Sequence, residues 1–340
     1  MKRVGLVWAT YSLGLLLAVA CAKEPAPTDP EAYVLAVPAG FPTPEIPADN
    51  VLTVSRIQLG KRLFYDPLLS RDSSLSCAGC HKQSLAFADQ LSTSPGIEGR
   101  PGTRNTPSLA NVAYQKHLLR EGGVPTLEMQ VFVPIQEHNE FDFNILQAAK
   151  RMNRMPEYVE LAQKAYGRAP DPFVITRALA AFERTLLSGD SPFDRWFYQG
   201  QAAALSESAR RGLELFNSPR LGCQSCHSGF LFTSQEFANN GLYTTYLDSG
   251  RMRLTGLESD RALFKIPSLR QVALTAPYMH DGSLPSLEAV LDHYQSGGKN
   301  HPNKSPVLHP FSLTAQERAD LLTFLNSLSD VSFLQNPAFH

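Results

Sequence analysis

The chain has no excess of charge of either sign. Lys and Arg number 31 against 32 Asp and Glu, a net charge of −1 over 340 residues, so there is no whole-chain electrostatic footprint for nucleic acid. Long alternating apolar–polar runs are missing, which argues against an extended sheet. Beyond residue 20 no stretch is apolar enough to cross a bilayer. Glycine (22) is outnumbered by proline (25), which points to a loop-rich fold with many fixed turns. Cysteine is scarce, with five in the chain. Disorder along the whole length is excluded, because 43% of residues are hydrophobic and Leu, Ile, Val and Phe are plentiful. At roughly 100–200 residues per domain the length implies two domains, either of which could bury an ordinary core.

The first 20 residues read as a signal peptide. Lys2 and Arg3 make a positive start, and residues 4–20 are mostly apolar but short for a membrane span. Two processing sites compete at its end. Ala18-x-Ala20 suits ordinary signal peptidase, whereas Cys21 after small residues resembles a bacterial lipobox, with Ala18 where that motif usually has Leu. The proline-rich stretch to residue 47 favours the lipid-anchored alternative, since residues 21–47 then form a flexible tether between an anchor on Cys21 and the first packed segment.

The other four cysteines fall in two pairs, each C-x-x-C followed at once by His: Cys77-Ala-Gly-Cys80-His81 and Cys223-Gln-Ser-Cys226-His227. This is the attachment pattern of c-type haem. Two thiols add across the porphyrin vinyl groups, and the adjacent His is held under the iron as its proximal ligand. A four-Cys zinc site usually has its pairs tens of residues apart, but here Cys223 falls 146 positions after Cys77. A thioredoxin-like site needs no His after the second Cys and sits in a βαβ context, which this sequence lacks.

Both pairs belong to an internal repeat. Gly60-Lys61-Arg62-Leu63-Phe64 precedes the first and Gly212-Leu213-Glu214-Leu215-Phe216 the second, each a G-x-x-L-F on a helical pattern that runs into a polar loop. The fold class expected is mainly α, with two cytochrome-c-like haem domains and long loops, at 48–190 and 191–340. Apolar residues at three- and four-residue spacing predict helices over 51–65, 143–152, 158–166, 172–187, 206–216, 286–294 and 314–328. Thr314 with Glu317 makes a capping-box pattern at the start of the last.

At this point the chain resembles the bacterial di-haem cytochrome c peroxidases and their MauG-type relatives. The resemblance rests on Leu59-Gly60-Lys61-Arg62-Leu63-Phe64-Tyr65-Asp66, on Arg104-Asn105-Thr106-Pro107-Ser108-Leu109-Ala110-Asn111 and on Leu127-Glu128-Met129-Gln130. Ser191-Pro192-Phe193-Asp194-Arg195, Ile266-Pro267-Ser268-Leu269-Arg270 and Pro277-Tyr278-Met279-His280-Asp281-Gly282-Ser283 extend it through the second half.

That resemblance implies two covalent haems, with peroxide reacting at the first and electrons stored and passed at the second. It places the distal Gln at Gln130 and the distal acid ten residues on at Glu140, with Glu137 and His138 as substitutes. On residue type alone, Glu140 is no more than a solvated loop carboxylate. Classical members also close the first haem with a His that here would fall between Lys82 and Asn105, a segment without His; Ile97 and Glu98 stand near its place. The first haem is therefore expected to be open at rest. Classical members ligate the second haem with a Met fourteen residues after the position of His280, where this chain has Tyr294. MauG-type proteins have Tyr there, and Leu287, Val290, Leu291 and Tyr294 share one helical stripe. Met279 is the alternative ligand, and a packed core ring is the ordinary reading of Tyr294.

Relatives carry Trp-Asp-Gly-Arg ten residues before the distal Gln, with the Trp between the haems. Here the segment reads Arg120-Glu121-Gly122-Gly123, so any coupling between haems takes another route. The family's one Ca²⁺ would be held by the Asn105 side chain and the backbone carbonyls of Thr275 and Pro277, with waters completing the shell. The implied function is MauG-like oxidation of a periplasmic partner protein by H₂O₂. The alternatives are peroxide reduction fed by a small cytochrome c or cupredoxin, and a non-enzymatic di-haem electron carrier.

Overall fold

The computed structural model describes Met1 and residues 31–340. The expected signal peptide, Cys21 and the tether up to residue 30 lie outside the described residues. Residues 31–340 form one compact unit, rich in helix, with one two-stranded antiparallel ribbon that pairs Phe237–Ala238 with Phe264–Lys265. Among the described residues no helix is long and apolar enough to cross a membrane.

Two helix pairs built alike hold the two halves. In the first, Val54–Tyr65 crosses Pro172–Glu183; in the second, Glu207–Asn217 crosses Ala315–Asn326. Glycine makes each crossing close. A Cβ on Gly60 would stand 1.8 Å from the Ala178 carbonyl oxygen, and one on Gly212 would stand 2.1 Å from that of Asp320. No side chain fits either gap. Beside each crossing a Phe pair packs at 5.2 Å between ring centroids, Phe64 on Phe182 and Phe216 on Phe324. All four rings lie in the buried cores of their halves.

Helix starts follow side-chain capping. Thr53 accepts from the Arg56 N–H, which sets the first helix at Val54, three residues later than the apolar pattern suggests. Thr314 and Glu317 form the reciprocal capping box expected of them. Ser191 and Asp194 form a second box, which starts the Pro192–Phe197 helix missed by periodicity. At six residues, that helix is too short to show a pattern.

Two expectations about segment boundaries need correction. Residues 31–47, expected as free tether, pack on the body in their described part. Tyr33 N–H donates to the Leu52 carbonyl at 3.0 Å, and buried Phe41 packs against Phe230 and Tyr114 and under the Arg270 guanidinium. The last residues, expected in the second domain, return to the first half. Phe333 and Phe339 join the first core against Phe87, and Asp330 accepts from Ser188 Oγ and from the Gly189 and Asp190 N–H groups. Burial of two aromatic rings outweighs chain order at this point.

Candidate active site

Each C-x-x-C-H segment forms one tight turn. Cys77–Cys80 is a single helical turn and Cys223–Ser225 a 3-10 turn, and each closes with the His N–H donating to the first Cys carbonyl at 2.9 Å. All four thiols are free rather than paired as disulfides. The imidazoles are fixed in the same way. Nδ1–H of His81 donates to the Phe87 carbonyl at 2.8 Å, and that of His227 to the Phe232 carbonyl at 3.0 Å. Phe87 and Phe232 both adopt positive φ, near 56° and 52°, in the loops that present these oxygens. A serine pins each loop in turn: Ser108 Oγ donates to the Ala86 carbonyl at 2.5 Å and Ser268 Oγ to the Leu231 carbonyl at 2.6 Å. Because Nδ1 is bonded on both rings, Nε2 is the nitrogen left available to a metal.

Burial lowers the pKa of both histidines, which keeps them neutral as ligands must be. It raises all four thiols, with Cys223 pushed up to about 11. Beside Cys77, the Glu183 Oε2 atom is buried without a partner, and burial pushes its carboxyl up to about 8. A reduced thiol pair and a neutral histidine with one free nitrogen fit covalent haem at each motif, and at the first the orphaned Glu183 oxygen fits as well.

The segment that carries the proposed distal residues is held from two sides. Glu128 in the short Leu127–Gln130 helix makes a buried bidentate pair with Arg184, at 2.6 and 2.9 Å. Gln130 ends that helix half-buried. After the Phe132–Gln136 helix the chain turns back, and the Glu140 carbonyl accepts from the Ile97 N–H at 3.0 Å. Gly96 lies so close that a Cβ there would stand 1.9 Å from the Asn139 carbonyl oxygen.

The Glu140 side chain is exposed, yet the protein around its carboxyl desolvates it, and with the nearby Glu137 charge this pushes it up to about 7. Its charge is felt at both Cys77 and Cys80. Of the two substitutes, Glu137 is exposed like Glu140, and His138 is bound up with Arg100 and Asp142 in a surface network. Ile97, near the place of the missing distal His, is fully buried, and Glu98 is paired with Arg71 and Arg100.

At the second motif the Leu287–Gln295 helix, capped by Ser286, carries Tyr294. Burial pushes this phenol up to about 12, and the Cys226 and Cys223 charges act on it in the same direction. The ring therefore lies beside the thiols. Asn240, which no sequence signal marked, links both candidate ligands. It hydrogen-bonds the Tyr294 side chain, and its Nδ2 stands 3.0 Å from the Met279 sulfur. His293, off the stripe as expected, turns instead to the Asn240 backbone carbonyl at 2.9 Å.

The residues expected to hold calcium do not present an open set of oxygens. Asn105 is buried, and both of its oxygens accept from the guanidinium of Arg120. A divalent ion about 4 Å from that group would meet repulsion on the order of 8 kcal/mol at the effective dielectric of a protein surface. The donor set therefore does not fit calcium in this arrangement. Thr275 and Pro277 lie in the loop before His280, whose carbonyl accepts from the Asn105 N–H at 2.9 Å.

Comparison with known proteins agrees with this geometry. The family model for di-haem cytochrome c peroxidase matches residues 54–203. The methylamine utilization protein MauG of Methylorubrum extorquens is 38% identical over 333 residues, covering 95% of this chain and 94% of the relative. Cytochrome c551 peroxidase of Nitrosomonas europaea is 34% identical over 259 residues, covering 75% and 77%. The crystal structure of a MauG-like protein associated with microbial copper homeostasis superposes with a TM-score of 0.86 at 33% identity, over 91% of this chain and 99% of the other. Identity sustained along nearly the whole of both chains leads to one conclusion: this chain belongs to the di-haem cytochrome c peroxidase family, as an enzyme with two haem groups.

Proposed function

We propose that the enzyme uses hydrogen peroxide in the manner of MauG and removes electrons from Trp or Tyr side chains of a partner protein in the bacterial periplasm. Tyr294 beside the Cys223 and Cys226 thiols carries this reading. A phenolate at that position favours the oxidised metal, whereas a thioether favours electron uptake. Haem bound at the two motifs would supply the metal at which the O–O bond is cleaved and would hold the oxidising equivalents that result.

Glu140 moves the proton. With its carboxyl near 7, both protonation states are present at neutral pH. The carboxylate takes a proton from one peroxide oxygen and returns it to the other, which departs as water. Gln130, half-buried at its helix end, offers an amide to orient the peroxide. In sum, H₂O₂ takes two electrons from the partner and two protons and leaves as two waters. His81 and His227 stay neutral, with ring orientation set by the Phe87 and Phe232 carbonyls. A lipid on Cys21 would hold the enzyme at the membrane surface. Calcium enters no step.

The second reading is peroxide reduction fed by a small cytochrome c or cupredoxin. Met279, which shares Asn240 with Tyr294, is the observation in its favour. A redox titration of the holoenzyme with absorption spectra separates the two. The MauG-like reading predicts a resting enzyme that stays ferric with mild donors and shows no Met–iron charge-transfer band. A high-potential haem with that band, and rapid turnover with reduced cytochrome c, would favour the second.

A further inference from the structure

Arg120 is a half-buried cation held by neutral oxygens. Its Nε and Nη2 donate to the Asn105 backbone carbonyl at 3.1 and 3.0 Å, and Nη2 donates to Asn105 Oδ1 at 2.5 Å. Among the described residues no carboxylate bonds this guanidinium. The charge of Asp281 acts on it from a carboxylate that accepts from the Tyr243 hydroxyl at 2.7 Å. Neighbouring Arg104 takes other carboxylates, pairing with Asp248 at 2.6 and 2.9 Å and with Glu121. Arg120 is pushed down to about 10 by burial and by the charge of Arg104, and it stays positive at neutral pH.

The oxygens it uses are aimed at it by other bonds. Asn105 Nδ2 donates to the Leu91 carbonyl at 3.1 Å, which fixes the amide so that Oδ1 faces the guanidinium. The Asn105 N–H holds the His280 carbonyl, and the Arg120 carbonyl accepts from the Lys265 N–H at 2.7 Å. Segments around residues 105, 120, 265 and 280, drawn from both halves of the chain, thus meet at one positive group. A backbone carbonyl and an amide oxygen are the donors a hard cation such as calcium selects. Here a side chain of the protein has taken them.

We infer that the Arg120 guanidinium replaces a bound calcium ion at the junction of the two halves, so that this enzyme takes up no calcium there and is indifferent to its removal. Where the family resemblance would place a Trp and a calcium ion, this chain has one guanidinium. One substitution supplies the positive charge and removes the aromatic ring.

The test is metal analysis of the holoenzyme equilibrated with calcium chloride and desalted, followed by chelation with EGTA. The wild type should carry far less than one calcium per chain. EGTA should change neither the spectra of the two haems nor the thermal midpoint. One calcium per chain, released by EGTA with a change in either haem signal, overturns the inference. Arg120→Ala frees the oxygens, and its lowered thermal midpoint should rise with calcium up to about 1 mM, the range of weak extracellular calcium modules. Arg120→Lys keeps the charge and should stay as indifferent as the wild type. An Arg120→Ala protein as stable as the wild type and blind to calcium, or an Arg120→Lys protein that binds calcium, also overturns it. If Arg120→Ala does not accumulate, the wild-type metal content decides.

Discussion

Residue 60 and residue 212 are glycine for the same steric reason, and His81 and His227 are anchored by the same kind of carbonyl. Around the thiols the halves part. The Glu140 charge acts on Cys77 and Cys80, and desolvation pushes that carboxyl up to about 7, whereas the charges of Cys223 and Cys226 act on the half-buried Tyr294 phenol, which desolvation pushes up to about 12. The duplicated scaffold sets the same thiol pair and His in both halves, while the intervening loops and one later helix place different side chains beside them. Under the proposed function, Glu140 would move the proton of the peroxide at the first motif, and Tyr294 would be the ligand suited to a high oxidation state at the second.

Removing the proton carrier should break this asymmetry most severely. Glu140→Gln should retain both haems and slow the reaction with H₂O₂ by roughly 10²-fold or more, as stopped-flow absorbance would record. The pH dependence has a definite sign. The base is the carboxylate, so the wild-type rate should rise as pH increases through about 7 and then level off, and Glu140→Gln should flatten that rise. An unchanged rate would shift the proton transfer to Glu137 or to water.

Tyr294→Met makes the second site resemble that of a classical peroxidase. Haem attachment should survive, because Cys223, Cys226 and His227 are untouched. The potential of that haem should rise, on the order of 0.1 V or more within the span that axial ligands control, and turnover with reduced cytochrome c should increase. A redox titration that shows no change would remove Tyr294 from the metal.

Gly60→Ala and Gly212→Ala test the shared scaffold. Each added methyl meets a backbone carbonyl at about 2 Å or less, and overpacking of this kind costs about 1–3 kcal/mol. Denaturant midpoints should fall in both variants by similar amounts. If only one variant were affected, the helix pairs would not be equivalent supports.

Much of this asymmetry could be read in the sequence. Covalent attachment needs two thiols and a His in one short turn, so Cys77-x-x-Cys80-His81 and its repeat are contiguous. Tyr294 is located by the family resemblance, and helical periodicity only favours it over His293, whereas its neighbour Asn240, brought in from a distant loop, has no sequence signal. Glu140 had no local signal at all. Its raised carboxyl comes from protein packed around it, and resemblance to the family located it. The pairing of Arg120 with Asn105 is half legible: the sequence shows Arg where the resemblance implies Trp, but which oxygens the Arg claims depends on loops that only the fold brings together. The return of Phe333 and Phe339 to the first core had no signature either, since any apolar ring near a terminus could pack on either half.

The central claim is that one iron is left open and the other capped. Electron paramagnetic resonance of the resting ferric holoenzyme tests it most directly. One high-spin and one low-spin haem signal across neutral pH is the result predicted from the residues beside each motif. Two low-spin signals would contradict it, because some side chain would then occupy the site assigned to peroxide.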